Sequence, residues 1–111
     1  MEKLERYRTL IQALLSEFAS HRYQDSEVQS ELLFDPVHDH YQVLDVGWER
    51  GRRIYSTPLH FSIKNNKIRL EHNTTDRMVA EELVAAGVPR EDIVLAIHPP
   101  YVRADTGFAT E

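Results

Sequence analysis

Between residues 40 and 72 apolar and polar side chains alternate through three segments, HYQVLDVGWERGRRIYSTPLHFSIKNNKIRLEH, interrupted by two short turns. Alternation with a period of two is the signature of strands that bury one face, so the pattern predicts an antiparallel meander. Asn65-Asn66 suits a two-residue type I′ turn, whose central residues must tolerate positive φ. Closing the hairpin there sets Ile63 opposite Ile68, Phe61 opposite Leu70 and Leu59 opposite His72. Lys64 and Lys67, Ser62 and Arg69, and His60 and Glu71 then share the other face. A slip of one residue would mix the two faces, so this register has few competitors. Arg50-Gly51 is the apex of the upstream turn. Pro58 has no N–H to give to a ladder, and therefore needs an edge position, an outward-facing nitrogen or a bulge.

Outside the meander the period changes. Leu4, Tyr7, Leu10, Ile11, Leu14, Leu15 and Phe18 recur at helical spacing and predict an amphipathic N-terminal helix. Leu32-Leu33-Phe34, ahead of Asp35-Pro36, reads as a short first strand with Pro36 at the corner. After His72, Asn73, Thr74 and Thr75 offer N-caps for a second helix. Asp76 falls in its first turn, Val79, Leu83 and Ala86 on its apolar stripe, and Gly87 at its end. The apolar run Ile93, Val94, Leu95, Ala96, Ile97 predicts a buried strand bounded by Pro99-Pro100. The ending RADTGFATE reads as an irregular tail anchored by Phe108. The expected fold is a two-layer α+β domain: N-terminal helix, antiparallel meander sheet, second helix and final strand. At 111 residues it forms a single domain over 1–111.

Composition narrows the function classes. The absence of cysteine excludes disulfides, thiolate catalysis and cysteine-ligated zinc. No stretch approaches the roughly 18 apolar residues of a membrane span, and MEKLERYR lacks an apolar signal region, so the expected location is cytoplasmic and away from membranes. The net charge of −5 opposes bulk adhesion to nucleic acid. Its distribution is nevertheless uneven. Asp25, Glu27, Glu31, Asp35, Asp39 and Asp45 follow one another without a Lys or Arg, and Arg50, Arg52, Arg53, Lys64, Lys67 and Arg69 come next. Two readings stay open: neighbouring strands that neutralise each other, or a bipolar surface that orients a partner.

Candidate chemistry is sparse. His38-Asp39-His40 has the spacing of a two-histidine pair on a strand, but a zinc site needs a further protein ligand, and no standard spacing supplies one. His60 opposite Glu71 would be a general base with its pKa raised by the carboxylate, although cross-strand charge pairing gives the same juxtaposition without catalysis. Asp35, Asp39 and Asp45 match a two-metal nuclease set in number only. No catalytic, metal or cofactor residues are therefore assigned, and the chain is expected not to be an enzyme. Nucleic acid could be held by the basic residues, with Trp48 or Tyr55 stacking on bases, yet no basic recognition helix is present.

Several strings occur together in order: DHYQVLDVGW, RRIY, a histidine in the third strand, NNKI, ELVAAGVPREDIVLAIHPP and R-x-x-TGFA. Together these resemble the XisI family over nearly the whole chain. The resemblance implies an accessory factor that controls site-specific excision of a DNA element, the fdxN element, during heterocyst development in filamentous cyanobacteria. It also implies a XisH-type protein and a site-specific recombinase as partners, and it carries over no catalytic residues. Such a factor would act through protein-protein contacts, with a homodimer compatible with the role. Trp48, Arg53 and Tyr55 are the expected partner contacts, because aromatic residues and arginine dominate interface energetics. The opposing reading buries Trp48 and Tyr55 in the core or against the sheet. The alternative function is DNA binding through the basic hairpin spanning Arg50 to Arg69, with Lys64, Lys67 and Arg69 on phosphates.

Overall fold

Asn65 and Asn66 adopt φ values of 54° and 64°, and Arg50 and Gly51 values of 52° and 78°, the left-handed geometry that a type I′ turn demands at both central positions. These two turns fold the alternating segments back on themselves, as the pattern predicts. The computed structural model describes residues 2–23 and 26–111, so Asp25 of the acidic series lies outside the described residues. The elements run α1 (Lys3–Ser20), β1 (Gln29–Asp35), β2 (His40–Glu49), β3 (Arg52–Lys64), β4 (Lys67–Asn73), α2 (Val79–Ala85), a 3₁₀ turn (Arg90–Asp92), β5 (Ile93–Val94) and α3 (Pro100–Arg103). The strands form one sheet in the order β1-β2-β3-β4-β5. The first three pairings are antiparallel. β5 joins β4 in parallel, because α2 carries the chain back across before it pairs.

One face of the sheet meets the helices. Tyr7, Ile11, Leu15 and Phe18 of α1 lie one or two turns apart and are buried against Tyr41, Val43, Leu59 and Phe61. Val79 and Leu83 of α2, with Ile68, Leu70 and Ile93, complete the same core. Each such side chain contributes about 1.5–3 kcal/mol when fully removed from water. Polar contacts then fix the helix in place. Arg8 reaches Asp39 with Nε at 2.8 Å and Nη2 at 3.1 Å, and Asp39 also accepts from the Tyr41 hydroxyl at 2.8 Å. From the adjacent position on α1 the Tyr7 hydroxyl donates to Asp92 at 2.5 Å. Burial and then the Asp92 carboxylate push the Tyr7 pKa up to about 12.

Five expectations need correction. The hairpin register holds for Ile63-Ile68, Phe61-Leu70, Ser62-Arg69 and Lys64-Lys67, but His60 faces His72 and Leu59 faces Asn73. Glu71 is the extra residue of a bulge. Without it the polar His72 would share the core face with the fully buried Leu59; with it His72 stays exposed. The first strand is longer than Leu32-Leu33-Phe34, since its pairing with β2 runs unbroken from Gln29-Val46 to Asp35-His40. The second helix starts at Val79 rather than beside Asn73-Thr75. The side chains expected to cap it bond within the loop instead: Asn73 Oδ1 accepts from the Thr75 N–H and hydroxyl, and Thr75 Oγ1 accepts from the Arg77 N–H. Ala86 is the exposed C-cap rather than part of the buried stripe. The last strand ends at Val94, because the Leu95 carbonyl accepts the His98 N–H at 3.1 Å and turns the chain. The tail then returns to the sheet, with the Ala109 N–H donating to the Ile93 carbonyl at 2.8 Å and Phe108 packed against the core. Pro58 is accommodated by the third of the expected routes. Thr57 and Pro58 together oppose Leu44, where the β2–β3 register shifts.

Candidate protein-docking site

β2 and β3 outrun their neighbours. The last β1 pairing on β2 is Gln29 with Val46, and β4 pairs with β3 only between residues 59 and 64. Residues 47–54 therefore form a two-stranded arm closed by the Arg50-Gly51 turn, with Val46 and Tyr55 paired at its root. Register places Trp48 opposite Arg53 and Val46 opposite Tyr55, so these four side chains share the arm face that points away from the helices. Trp48 is 53% and Tyr55 68% exposed. The Arg53 guanidinium lies 5.5 Å from the centre of the Trp48 ring, a cation–π distance. The three residues expected as partner contacts thus form one exposed patch, and the opposing reading that buried Trp48 and Tyr55 does not describe them.

A two-stranded ribbon is marginally stable by itself, so what braces the arm matters. At its root Asp45 is 1% exposed on the core face, in register with Tyr41 and Val43. Its carboxylate accepts from Arg22 Nη2 at 2.5 Å and from the Ser30 hydroxyl at 2.6 Å. Arg22 stacks on Phe18 of α1, so the ion pair ties the helix end, the first strand and the arm together. Gly47 lies just beyond. Its φ of 154° and the approach of the preceding loop leave no space for a side chain, since a Cβ would sit 2.3 Å from the Glu27 carbonyl oxygen. Neither Arg22 nor Ser30 lies in a sequence motif, and Gly47 enters only through the string DHYQVLDVGW. The signal that could have found Asp45 is its alternation: a carboxylate on the core parity of a strand requires a buried partner.

The other candidates take structural partners. Asp35 accepts from the Val37 and His38 N–H groups and from His38 Nδ1 at 2.8 Å, which hold its pKa below the usual carboxylate range. His38 is directed to Asp35, whereas His40 Nδ1 meets His60 Nε2 at 3.1 Å, so the His-Asp-His string does not converge. Among the described residues no three His, Asp or Glu side chains are disposed to hold a metal ion. Glu71 turns to Ser62 Oγ at 2.6 Å and Arg69 Nε at 3.1 Å. Burial, followed by the charge of His40, lowers the His60 pKa, opposite to what a carboxylate-activated base would require.

The basic residues divide between two ends of the sheet. Arg50, Arg52 and Arg53 sit at the arm tip, and Lys64, Lys67 and Arg69 lie at the far turn. At about 3.3 Å per residue, Arg53 and Lys64 are roughly 35 Å apart along β3. Lys67 Nζ bonds the Glu111 carbonyl and Arg69 bonds Glu71, so two of the three expected phosphate contacts are engaged within the chain.

Comparison with known proteins gives a consistent answer. The family model described as XisI protein matches residues 1–110. Among solved structures, a XisI-like protein from Anabaena variabilis ATCC 29413 is 46% identical, with a TM-score of 0.91 over 96% of this chain and 97% of that one. The fdxN element excision controlling factor XisI from the same organism is 33% identical, with a TM-score of 0.84 over 99% of this chain and 100% of that one. No curated protein matches the chain. A match over almost every residue, with the fold shared at high similarity, has one conclusion: the chain belongs to the XisI family.

Proposed function

We propose that this protein is an accessory factor controlling site-specific excision of a DNA element, as the similar fdxN element excision controlling factor is named for doing. It acts without catalysis of its own, by docking a XisH-type protein on the β2–β3 arm. The observation that carries this reading is the exposed Trp48-Arg53-Tyr55 patch on a ribbon braced at its root by buried Asp45. Aromatic and arginine side chains held on a rigid support lose little freedom on binding, which is what interface anchors require.

Co-expression with a XisH-type partner tests it. The wild-type chain is expected to co-purify in mild salt, and replacing Trp48 and Tyr55 together by alanine should weaken capture at least about 30-fold, the size of one strong anchor loss. Trp48 is the sole tryptophan, so its emission should shift to shorter wavelength when the partner covers it. Failure of the wild-type chain to retain the partner, or retention unchanged in the double variant, removes the proposal. Replacing Lys64, Lys67 and Arg69 should leave capture intact. If those changes instead abolish a steeply salt-dependent affinity for duplex DNA, the DNA-binding alternative takes its place.

A further inference from the structure

The two edges of the sheet are treated differently. On one side β5 is two residues long and is covered by the tail through the Val94-Ala109 bridge. On the other side β1 presents seven residues, Gln-Ser-Glu-Leu-Leu-Phe-Asp, with no strand beyond it in the sheet order. Proteins normally blunt such an edge with lysine, proline, a bulge or a short strand, because its unpaired N–H and C=O groups recruit another strand. β1 contains neither Lys nor Pro, and its register with β2 is unbroken. Leu32 and Leu33 point to opposite faces and are 39% and 43% exposed, so an added strand covers apolar surface on both sides. The only charges on the strand are the acids Glu31 and Asp35, which repel an acidic strand and attract a basic one.

Charge therefore selects the occupant. Glu31 and Asp35 lie four residues apart, so alternation puts both on the face opposite the helices, with Leu33 between them. The Glu31 carboxylate is exposed and has no ion-pair or hydrogen-bond partner among the described residues. Asp35 is bonded by its own turn, yet its side chain is still 47% exposed. No Lys or Arg occurs between residues 23 and 49, and Arg8 and Arg22 are occupied by Asp39 and Asp45. A second copy of β1 would bring the same acids and no cation, and nucleic acid or anionic lipid would be repelled as well. What the edge fits is an extended segment whose cations fall four residues apart, one opposite Glu31 and one opposite Asp35, with an apolar residue opposite Leu33. A hollow of about 470 Å³, lined in part by Leu33, Phe34 and Asp35, suits the apolar stem and charged head of a lysine. We infer that β1 docks a basic extended segment of a partner protein, which joins the five-stranded sheet as a further edge strand. This inference is independent of the docking arm, which leaves the sheet at a different strand pair.

The test uses the isolated chain and a probe peptide, so it is separate from capture of the XisH-type partner. The probe KTVVKTT matches β1 in length and, paired antiparallel, sets its lysines opposite Asp35 and Glu31 and its valines opposite Leu33 and Leu32. In an amide NMR titration of the labelled chain, saturable shifts should concentrate in residues 29–35. Glu31→Lys should weaken the probe roughly fivefold or more, as expected when a facing pair changes from opposite to like charge. The peptide KTVVETT should instead prefer that variant to the wild type, an exchange of preference that damage to the fold would not produce. KTVPKTT keeps the charges but lacks a ladder N–H and should not bind. Replacing Trp48 and Tyr55 by alanine should leave the probe's affinity unchanged. Absence of β1 shifts in the wild type, an affinity indifferent to Glu31→Lys, or equal binding of KTVPKTT would each overturn the inference. So would a peptide-free chain at twice the 12.9 kDa monomer mass by light scattering with its β1 amides protected from exchange, since a second copy would then hold the edge.

Discussion

At the residue scale, Asp45 and His60 show how position overrides residue type. Asp45 reads as one acid in an acidic run, yet it sits inside the core face with Arg22 and Ser30 as its hydrogen-bond donors. Removing one partner of a buried ion pair leaves the other uncompensated. Arg22→Ala should therefore lower unfolding stability by about 3 kcal/mol, the low end of the usual range because the arginine is 28% exposed, as read by urea denaturation. His60 is held below its ordinary pKa of 6.5, first by burial and then by His40. The folded state thus protonates less readily than the unfolded chain, so stability falls as the pH drops below 6.5 and levels off once the folded-state pKa is passed. In His60→Asn that decline should flatten in a pH series of denaturation midpoints. The separate acid limb below about 4 should remain, since Asp39, held low chiefly by Arg8, loses its contribution there. The alternation pattern locates both residues on their strands. It could not reveal which side chain closes over them from the turn after α1 or from the neighbouring strand.

At the scale of elements, turns and strand parity were legible while bulges and ends were not. Asn65-Asn66 fixes its hairpin because asparagine tolerates the left-handed region. Arg50, with φ at 52°, has no such side-chain advantage and stores strain at the tip of the β2–β3 arm. Arg50→Asn should accordingly stabilise the protein by roughly 0.5–1 kcal/mol, measurable as a higher thermal midpoint. The Glu71 bulge escapes a pattern reading because one extra residue costs little locally. It is selected by the need to keep His72 out of a core closed by Leu59 and the helices. The start of α2 at Val79, beyond the expected caps, has a related reason. Asn73 and Thr75 are good capping residues, and a loop can use their hydrogen bonds as readily as a helix can.

At the scale of the whole molecule, the helices cover one face of the sheet, the tail guards one edge, β1 forms the other edge, and the β2–β3 arm extends past β1 and β4. No described helix is long and apolar enough to cross a membrane. The acidic and basic runs do not form two facing patches. Asp35, Asp39 and Asp45 are each absorbed by local hydrogen bonds, and the cations separate to opposite ends of β3. The sequence by itself determined the α+β class, both hairpin turns, the buried stripe of α1 and the family, because these rest on local periodicity, turn stereochemistry and ordered strings. Tertiary structure decided the bulges, the two-residue last strand, the bracing of the arm and the exposure of Trp48 and Tyr55. Each of these depends on where a distant segment ends or crosses, and that is set by packing among residues far apart in the chain.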